Sequence, residues 1–552
     1  MMKPFNRMMI GLMVLATASS AFAITGKTMY HYIAYQAMFW PKSLPVNADS
    51  YSKVPLDHSS MTLDGLVKLP FDTLVFAPMF GFGSMAANLK SATYPKHQPI
   101  ENSRFMPNQI NAMPALIKAG VDPTAEIVKW CRKNKREAVV ALPTNLGGRH
   151  NNKPDEKHTI RSWQCYLWPE FKDKNADALV DPDGKGPCPN GYKYAVDYTN
   201  PKVRKTFSDI ACEIAGKYDI DGLMIDFTME PTLFRSVAAG GTAAPKEVQL
   251  ITDMMTTIKA ACKAASGRVG HPVAFAARVP DSVGYCKDIG IDLQGWLDTK
   301  LLDYVVLGGS FQLNRCNAVG DIAAKNGIPF YVSFTQGGIL VGNDDRWPRD
   351  DERVPRHSRE ACNARIADAL LCKAAGCMYT MGIHHDVKFP FDLCEPYDAK
   401  HNRLADKRYF VSYSDDRVAN SFLKDGMKYR IPQSLISTAP VDLAKGMAKY
   451  KIDVWDDLES LAREGKTPKV TLITEVSIPS GIDTDVTFNG KVLKCFKKRA
   501  GTQMYALSPK LVKKGANEVL VKSKGKNKRS QTAKLGNIVV EVTFEKPAKK
   551  EG

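Results

Sequence analysis

Tyr218-Asp219-Ile220-Asp221-Gly222-Leu223-Met224-Ile225-Asp226-Phe227 is a short apolar run framed by carboxylates. Its apolar residues are contiguous rather than alternating, which predicts a strand over Gly222–Phe227 covered on both faces, as in a parallel sheet. The same form recurs at Met29–Ala34, Asp72–Ala77, Glu137–Pro143, Val273–Arg278, Asp303–Leu307, Pro329–Phe334 and Cys377–Met381. Helical stretches lie between these runs. Asp122–Lys133 carries apolar residues at helical spacing, and Asn200-Pro201 supplies an N-cap and a first-turn proline for a helix reaching Lys217. Pro245–Ala265 and Ser358–Ala375 read as further amphipathic helices. Eight strand-and-helix units in succession predict an α/β architecture, a closed (β/α)8 or TIM barrel over residues 24–400.

Beyond residue 400 the rhythm changes. Lys469–Ser477, Asp485–Phe488, Lys491–Phe496, Gln503–Ala506, Glu518–Lys522 and Ile538–Phe544 read as short strands, and Asn489-Gly490 as a hairpin turn. Residues 401–545 are therefore expected to form an antiparallel β-sandwich, with 546–552 a basic tail.

The chain of 552 residues is too long for one core, in keeping with two or more domains. Its first 23 residues have the form of a secretory signal peptide: Lys3 and Arg7, the apolar run Met8–Ala18, then Ala21-Phe22-Ala23 as cleavage site. That run is shorter than the roughly 20 residues a membrane span needs. A secreted or periplasmic protein without a membrane span is the expectation, and cell-surface association is compatible with it. The twelve cysteines are scattered. Cys212, Cys262 and Cys372 fall in helical apolar patterns as core thiols, and Cys165 with Cys188 is the single disulfide pairing the spacing suggests. Cys372 and Cys377 lack zinc-site spacing, and no HExxH, Walker or dinucleotide motif occurs, so no metal or cofactor is expected.

Charge is unevenly placed. Of a net +18, residues 401–552 carry 30 Lys and Arg against 17 Asp and Glu. For an exported protein such a surplus points to an acidic polysaccharide or the cell envelope rather than nucleic acid; a solvated lysine-rich surface is the plainer account.

In a barrel of this kind the site lies at the C-terminal strand ends. Asp226 ends the fourth strand where an apolar residue is expected, and a carboxylate there is costly unless paired or used. It either carries chemistry or caps the next loop and pairs with an Arg. Glu230 follows four residues on. Arg278-Val279-Pro280-Asp281 ends the fifth strand, where Arg278 can hold a substrate group or pair with Asp226. Asn145 and His150 follow the third strand, Gln312 and Asn314 the sixth, Gln336 the seventh, and His384-His385-Asp386 the eighth. Asn145, His150, Gln312, Asn314 and Gln336 suit sugar hydroxyls, while His384-His385-Asp386 fits a sugar, a metal or a plain polar loop equally. Glycoside hydrolysis needs two carboxyl groups. Asp226 is the first, and Glu230, Asp281 and Asp386 compete for the second.

The stretch Tyr194-Ala195-Val196-Asp197-Tyr198-Thr199-Asn200-Pro201-Lys202-Val203-Arg204, with Tyr218–Phe227 after it, resembles the bacterial glycoside-hydrolase-like (family-10-like) barrel proteins. Arg278-Val279-Pro280, Gly290-Ile291-Asp292 with Trp296, and Leu302-Asp303-Tyr304 extend the resemblance. Asp406-Lys407-Arg408-Tyr409-Phe410 resembles the family's join to its sandwich, and the sandwich itself is matched between Val486 and Val519. The resemblance implies a barrel followed by a sandwich, with Asp226 in the active site. Met229 and Pro143 stand where those relatives carry Arg, and Met381-Gly382 replaces their Phe-Asn. Three functions follow as expectations: an exported glycosidase on a complex, acidic glycan; a carbohydrate-binding barrel without turnover; or an envelope protein holding acidic polymer through its sandwich.

Overall fold

Eight strands of a computed structural model close into a parallel barrel: β1 (Thr28–Ile33), β2 (Thr73–Ala77), β3 (Glu137–Pro143), β4 (Gly222–Asp226), β5 (Ala274–Val279), β6 (Tyr304–Gly309), β7 (Phe330–Thr335) and β8 (Gly376–Thr380). Each pairs with its neighbours in sequence, and β1 closes the ring by pairing with both β2 and β8. These are the eight strands read from the sequence. The structure describes residues 28–34, 36–37, 40–56, 61–69, 71–80, 82–84, 86–92, 108–145, 170–181, 185, 187, 195–309, 314, 316–335, 369, 372–380, 397–398, 403–404, 407–412, 422–429, 441–443, 447–454, 457–463, 467–477, 483–499, 502–524 and 534–544. Residues 1–23, Cys165, Cys188, most of Ser358–Ala375 and the tail 546–552 lie outside them.

Strand parity divides the core in two. Tyr30, Tyr32, Leu74, Phe76, Val140, Leu142, Leu223, Ile225 and Phe275 point outward and pack under the helices. Met29, Ile33, Val75, Val139, Ala141, Met224, Ala276, Val306, Tyr331 and Met378 point inward and fill the barrel. Both faces are thus buried, which is why the strands read as unbroken apolar runs.

Helices packed on the barrel include α1 (Pro123–Lys133), α2 (Pro201–Lys217), α3 (Pro245–Val269), α4 (Val283–Ile289), α5 (Leu293–Asp298) and α6 (Asn317–Lys325). Asn200 caps α2 as expected, its side chain accepting from the Lys202 N–H at 2.9 Å with Pro201 in the first turn. Asp122 caps α1 in the same way. Under the barrel's N-terminal end, Arg132 of α1 bridges Asp219 and Asp221, the residues leading into β4. Asp221 also accepts from the Ala138 N–H of β3 at 2.7 Å. The two carboxylates ahead of the fourth strand therefore join α1 to β3 and β4.

The later strands are β9 (Lys407–Ser412), β10 (Met447–Val454), β11 (Pro468–Ser477), β12 (Asp483–Phe488), β13 (Lys491–Leu493), β14 (Cys495–Arg499), β15 (Thr502–Leu507), β16 (Gly515–Lys524) and β17 (Lys534–Phe544). One antiparallel sheet has the order β9-β17-β11-β15-β14, with Val441–Asp442 also on β17, and a second has the order β10-β16-β12-β13. They share one core, with Tyr450, Val470, Phe488, Tyr505, Val519 and Val540 buried between them. The expected sandwich is present. Asn489 and Gly490 turn its hairpin at φ 48° and 80°, the pair of positive values a two-residue turn of this kind requires.

Two details differ from the sequence reading. Lys491–Phe496, read as one strand, divides at Lys494 into β13 and β14, the edges of different sheets. β9 and β10 were not among the strands read. In β10, Ala448, Tyr450, Ile452 and Val454 alternate inward while Lys449 and Lys451 face solvent, and the lysines make the stretch resemble a solvated loop.

The chain also returns to the barrel. Leu423 is buried within the barrel's outer core. The Tyr429 ring covers Gly284, where a Cβ would come within 2.5 Å of it. Asp288 takes the Tyr429 hydroxyl and, at 3.0 Å, the Lys428 ammonium.

Candidate active site

Toward the C-terminal ends of the strands the barrel interior turns from apolar to polar. Asp226 and Arg278 are register partners on β4 and β5. Arg278 Nη1 donates to Asp226 Oδ2 at 2.9 Å, and both side chains are closed to solvent. The other oxygen, Oδ1, accepts from the N–H and the hydroxyl of Thr228, each at 2.8 Å. The carboxylate is thus held by three donors on rigid backbone. Backbone bonds reinforce it: the Thr144 N–H donates to the Asp226 carbonyl, and the Phe227 N–H to that of Arg278.

His31 enters the same volume from β1. It points inward by parity and is 1% exposed. Its Nδ1 lies 3.3 Å from Thr380 Oγ1 on β8, and that hydroxyl lies 3.2 Å from Ser333 Oγ on β7. Burial, and then the charge of Arg278, push the imidazole down to about 3 against the opposing pull of Asp226. His31 is therefore neutral at physiological pH. It was not among the residues singled out from the sequence. The signal was the one that marked Asp226, a polar side chain inside an apolar run, here Met29-Tyr30-His31-Tyr32-Ile33.

Glu230 is buried, as is Lys172 on the short helix Glu170–Lys174. Burial lowers the Lys172 ammonium to about 8, and the Glu230 carboxylate opposes that shift. The two form an electrostatic pair. No sequence signal marked Lys172, since it stands in an irregular stretch and is buried only by tertiary packing.

Asp281 is buried beyond the end of β5, and its Oδ2 accepts from the Asn314 N–H at 3.0 Å. The Asn314 side chain donates to the Tyr429 carbonyl at 3.1 Å, so this pair meets the segment returning to the barrel. Asn145 uses both ends of its amide on backbone. Nδ2 donates to the Thr232 carbonyl at 2.8 Å, and Oδ1 accepts from the Val196 N–H at 2.9 Å. The structure thus brings together Asp226 with Arg278, and Asp281 with Asn314. His150, Gln312, Gln336, His384, His385 and Asp386 lie outside the described residues.

Among the described residues, no group of three or more His, Cys, Asp or Glu is placed to hold a metal ion, and no helix is long and apolar enough to cross a membrane. What the geometry offers is one fixed carboxylate, a guanidinium locked onto it and a neutral imidazole nearby. Such a set can stabilise positive charge, attack as a carboxylate or orient a hydroxyl.

No protein-family model and no curated protein matches the sequence. Solved structures with distant similarity include chitinase ChiA74 from Bacillus thuringiensis, with 10% identity over 91% of this chain and 98% of that one and a TM-score of 0.35. A family GH18 chitinase from Chromobacterium violaceum has 12% identity over 94% and 88%, with a TM-score of 0.33. The catalytic domain of GH30 xylanase C from Talaromyces cellulolyticus has 9% identity over 90% and 96%, with a TM-score of 0.31. Likeness this distant carries no argument about activity. The chain is a closed eight-stranded barrel followed by antiparallel sheets, distantly similar to glycoside hydrolase barrels.

Proposed function

We propose that the protein is an exported glycoside hydrolase acting on a complex, acidic polysaccharide or glycan. The observation that carries this reading is the buried Asp226, fixed by Arg278 and Thr228 at the C-terminal end of β4. Because three donors hold it, Asp226 suits the nucleophile, or the stabiliser of an oxocarbenium-like transition state, better than the proton donor. Glu230 and Asp281 are the described candidates for the second carboxyl group. The lysine surplus after residue 400 supports an acidic substrate, and the leader-like first 23 residues support export.

One observation favours a second reading, a carbohydrate-binding barrel without turnover: both oxygens of Asp226 already accept from protein groups. The test is incubation with polygalacturonate, hyaluronate, chondroitin sulfate, sialylated glycans, chitin and xylan, scored by new reducing ends. Turnover that falls by about three orders of magnitude in Asp226→Asn, with circular dichroism retained, supports the hydrolase. Binding without turnover supports the second reading. Equal product from wild type and variant on every substrate cleaved removes Asp226 from the chemistry.

A further inference from the structure

Between Asp485 and Glu518 the sequence runs for thirty-two residues with eight Lys and Arg and no Asp or Glu. The fold gathers this stretch at one border of the sandwich. The β12–β13 hairpin and the β14–β15 pair follow one another along it, with β13 and β14 the edges of their sheets. Asn489 ties the hairpin turn to the loop at 509–514. Its Nδ2 donates to the Leu511 carbonyl and to Asn517 Oδ1, each at 2.8 Å, and Asn517 Oδ1 also accepts from the Lys513 N–H at 2.8 Å. Lys491, just after the turn, therefore stands at the same end as Lys510 and Lys513. Lys494 and Lys497 continue the strip along the edge for about 20 Å. All five lysines are exposed, and none forms an ion pair among the described residues. The acids around this border are already engaged: Asp483 with Lys498 at 2.9 Å, Asp485 with Lys524 at 2.5 Å and Glu518 with Lys449 at 2.6 Å, while Asp457 feels the charge of Lys514.

Lysines on edge strands ordinarily keep sheets from pairing with other chains. Two features exceed that role. Lys510 and Lys513 lie in the 509–514 loop, on no strand. Val492 and Phe496, which would promote such pairing, are 67% and 57% exposed. Phe496 is the extra residue of a β-bulge, since Cys495 pairs with Tyr505 and Lys497 with Met504, and a bulge re-aims a side chain.

Register shows what can cover the two apolar groups. Val492 pairs with Thr487, which stands between the inward Val486 and Phe488, so Val492 points away from the core on the β12 sheet. Cys495 packs on that core, and Phe496 after it points away on the β15 sheet. The two therefore lie on opposite outer faces of the sandwich. A planar membrane cannot take both, whereas a flexible chain crossing the edge can. Unpaired ammonium groups call for an anionic chain, and an aromatic face among them fits a sugar ring. The leader-like first 23 residues favour a glycan over nucleic acid.

We propose that this border of the sandwich binds a chain of acidic polysaccharide, its free lysines taking carboxylate or sulfate groups and Phe496 a sugar face. The inference rests on the acidic-glycan reading above and assigns recognition of the polymer's charge to the sandwich rather than to the barrel.

The experiment uses the full chain and measures affinity for polygalacturonate, hyaluronate and chondroitin sulfate by calorimetry at low and high salt. Wild type binds at least one of them, more weakly as salt rises. The triple variant Lys491→Gln, Lys494→Gln, Lys497→Gln loses roughly 5- to 100-fold on that glycan. Phe496→Ala loses roughly 2- to 10-fold. A control with the same charge removed from exposed lysines of α2 and α3 (Lys202→Gln, Lys246→Gln, Lys263→Gln) stays within about twofold of wild type. No binding by wild type, a triple variant that loses no more than the control, or undiminished affinity in Phe496→Ala overturns the proposal. Tighter binding to phosphatidylglycerol vesicles or to single-stranded DNA than to every glycan does so as well. The hydrolase reading fails separately. Binding that the triple variant loses, with no turnover by wild type, leaves this proposal standing and removes the hydrolase. Turnover of an acidic glycan, with wild-type affinity in the triple variant, does the reverse.

Discussion

Arg278 Nη1 lies 2.9 Å from Asp226 Oδ2 across the pairing of β4 with β5, with neither side chain open to solvent. A buried pair of this kind makes removal of one partner far more damaging than removal of both. Arg278→Met strands a carboxylate in the barrel and is expected to cost about 3–5 kcal/mol in a urea titration followed by tryptophan fluorescence. The double variant Arg278→Met, Asp226→Leu is expected to recover most of that stability while remaining inactive on every panel substrate. A double variant as unstable as the single one would mean that the pair is needed for folding itself.

His31 gives the barrel an acid-sensitive element. Its folded-state pKa, about 3, lies below the ordinary value of 6.5. The unfolded chain therefore binds a proton that the folded chain refuses, and stability falls as pH drops below about 6.5, continuing toward 3. Between pH 7 and pH 5 this residue alone is expected to remove about 2 kcal/mol. His31→Gln lacks the proton site, so its unfolding free energy should decline less steeply over that interval. Parallel slopes for the two proteins would contradict a buried neutral imidazole.

Asn145 is expected to matter for stability more than for recognition. Its amide joins the residues after β3 to the Thr232 carbonyl and the Val196 N–H. Asn145→Ala leaves both backbone groups buried and unsatisfied, at a cost of about 2–4 kcal/mol. Glycan affinity measured per folded molecule should stay within about twofold of wild type. A large loss of affinity in a stably folded variant would return Asn145 to the binding residues.

Gly284 is required by the Tyr429 ring above it. Gly284→Ala places a methyl group where the ring lies and is expected to cost about 1–3 kcal/mol. The 422–429 segment should become more sensitive to limited proteolysis. Tyr429→Ala in the same chain removes the clash, so the two losses should be less than additive. Full additivity would mean that the ring does not lie over Gly284.

The barrel was legible because strands buried on both faces must be apolar throughout, and Asp226 was legible because it breaks such a run. His31 breaks β1 in the same way, but aromatic neighbours on both sides make it resemble an ordinary core histidine. The role of Asn145 could not be read: an amide suits a sugar hydroxyl and a backbone carbonyl equally, and only the path of the chain decides between them. Lys172 carries no local signal, since neither its burial nor Glu230 as its neighbour follows from spacing. In the sandwich, the run from Lys491 to Phe496 gives the strand propensity but not the change of sheet at Lys494, which depends on partners distant in sequence.

The segment that returns to the barrel sets an order on how the molecule is assembled. Leu423 and Tyr429 occupy barrel positions although the last barrel strand ends at Thr380. During synthesis, the barrel's eight strands can be complete while the surface at Gly284 still awaits its cover, so final closure trails strand formation by some fifty residues of translation. A barrel released by cleavage at residue 400 would keep that surface bare, and a peptide spanning 422–429 supplied in trans would be its natural complement.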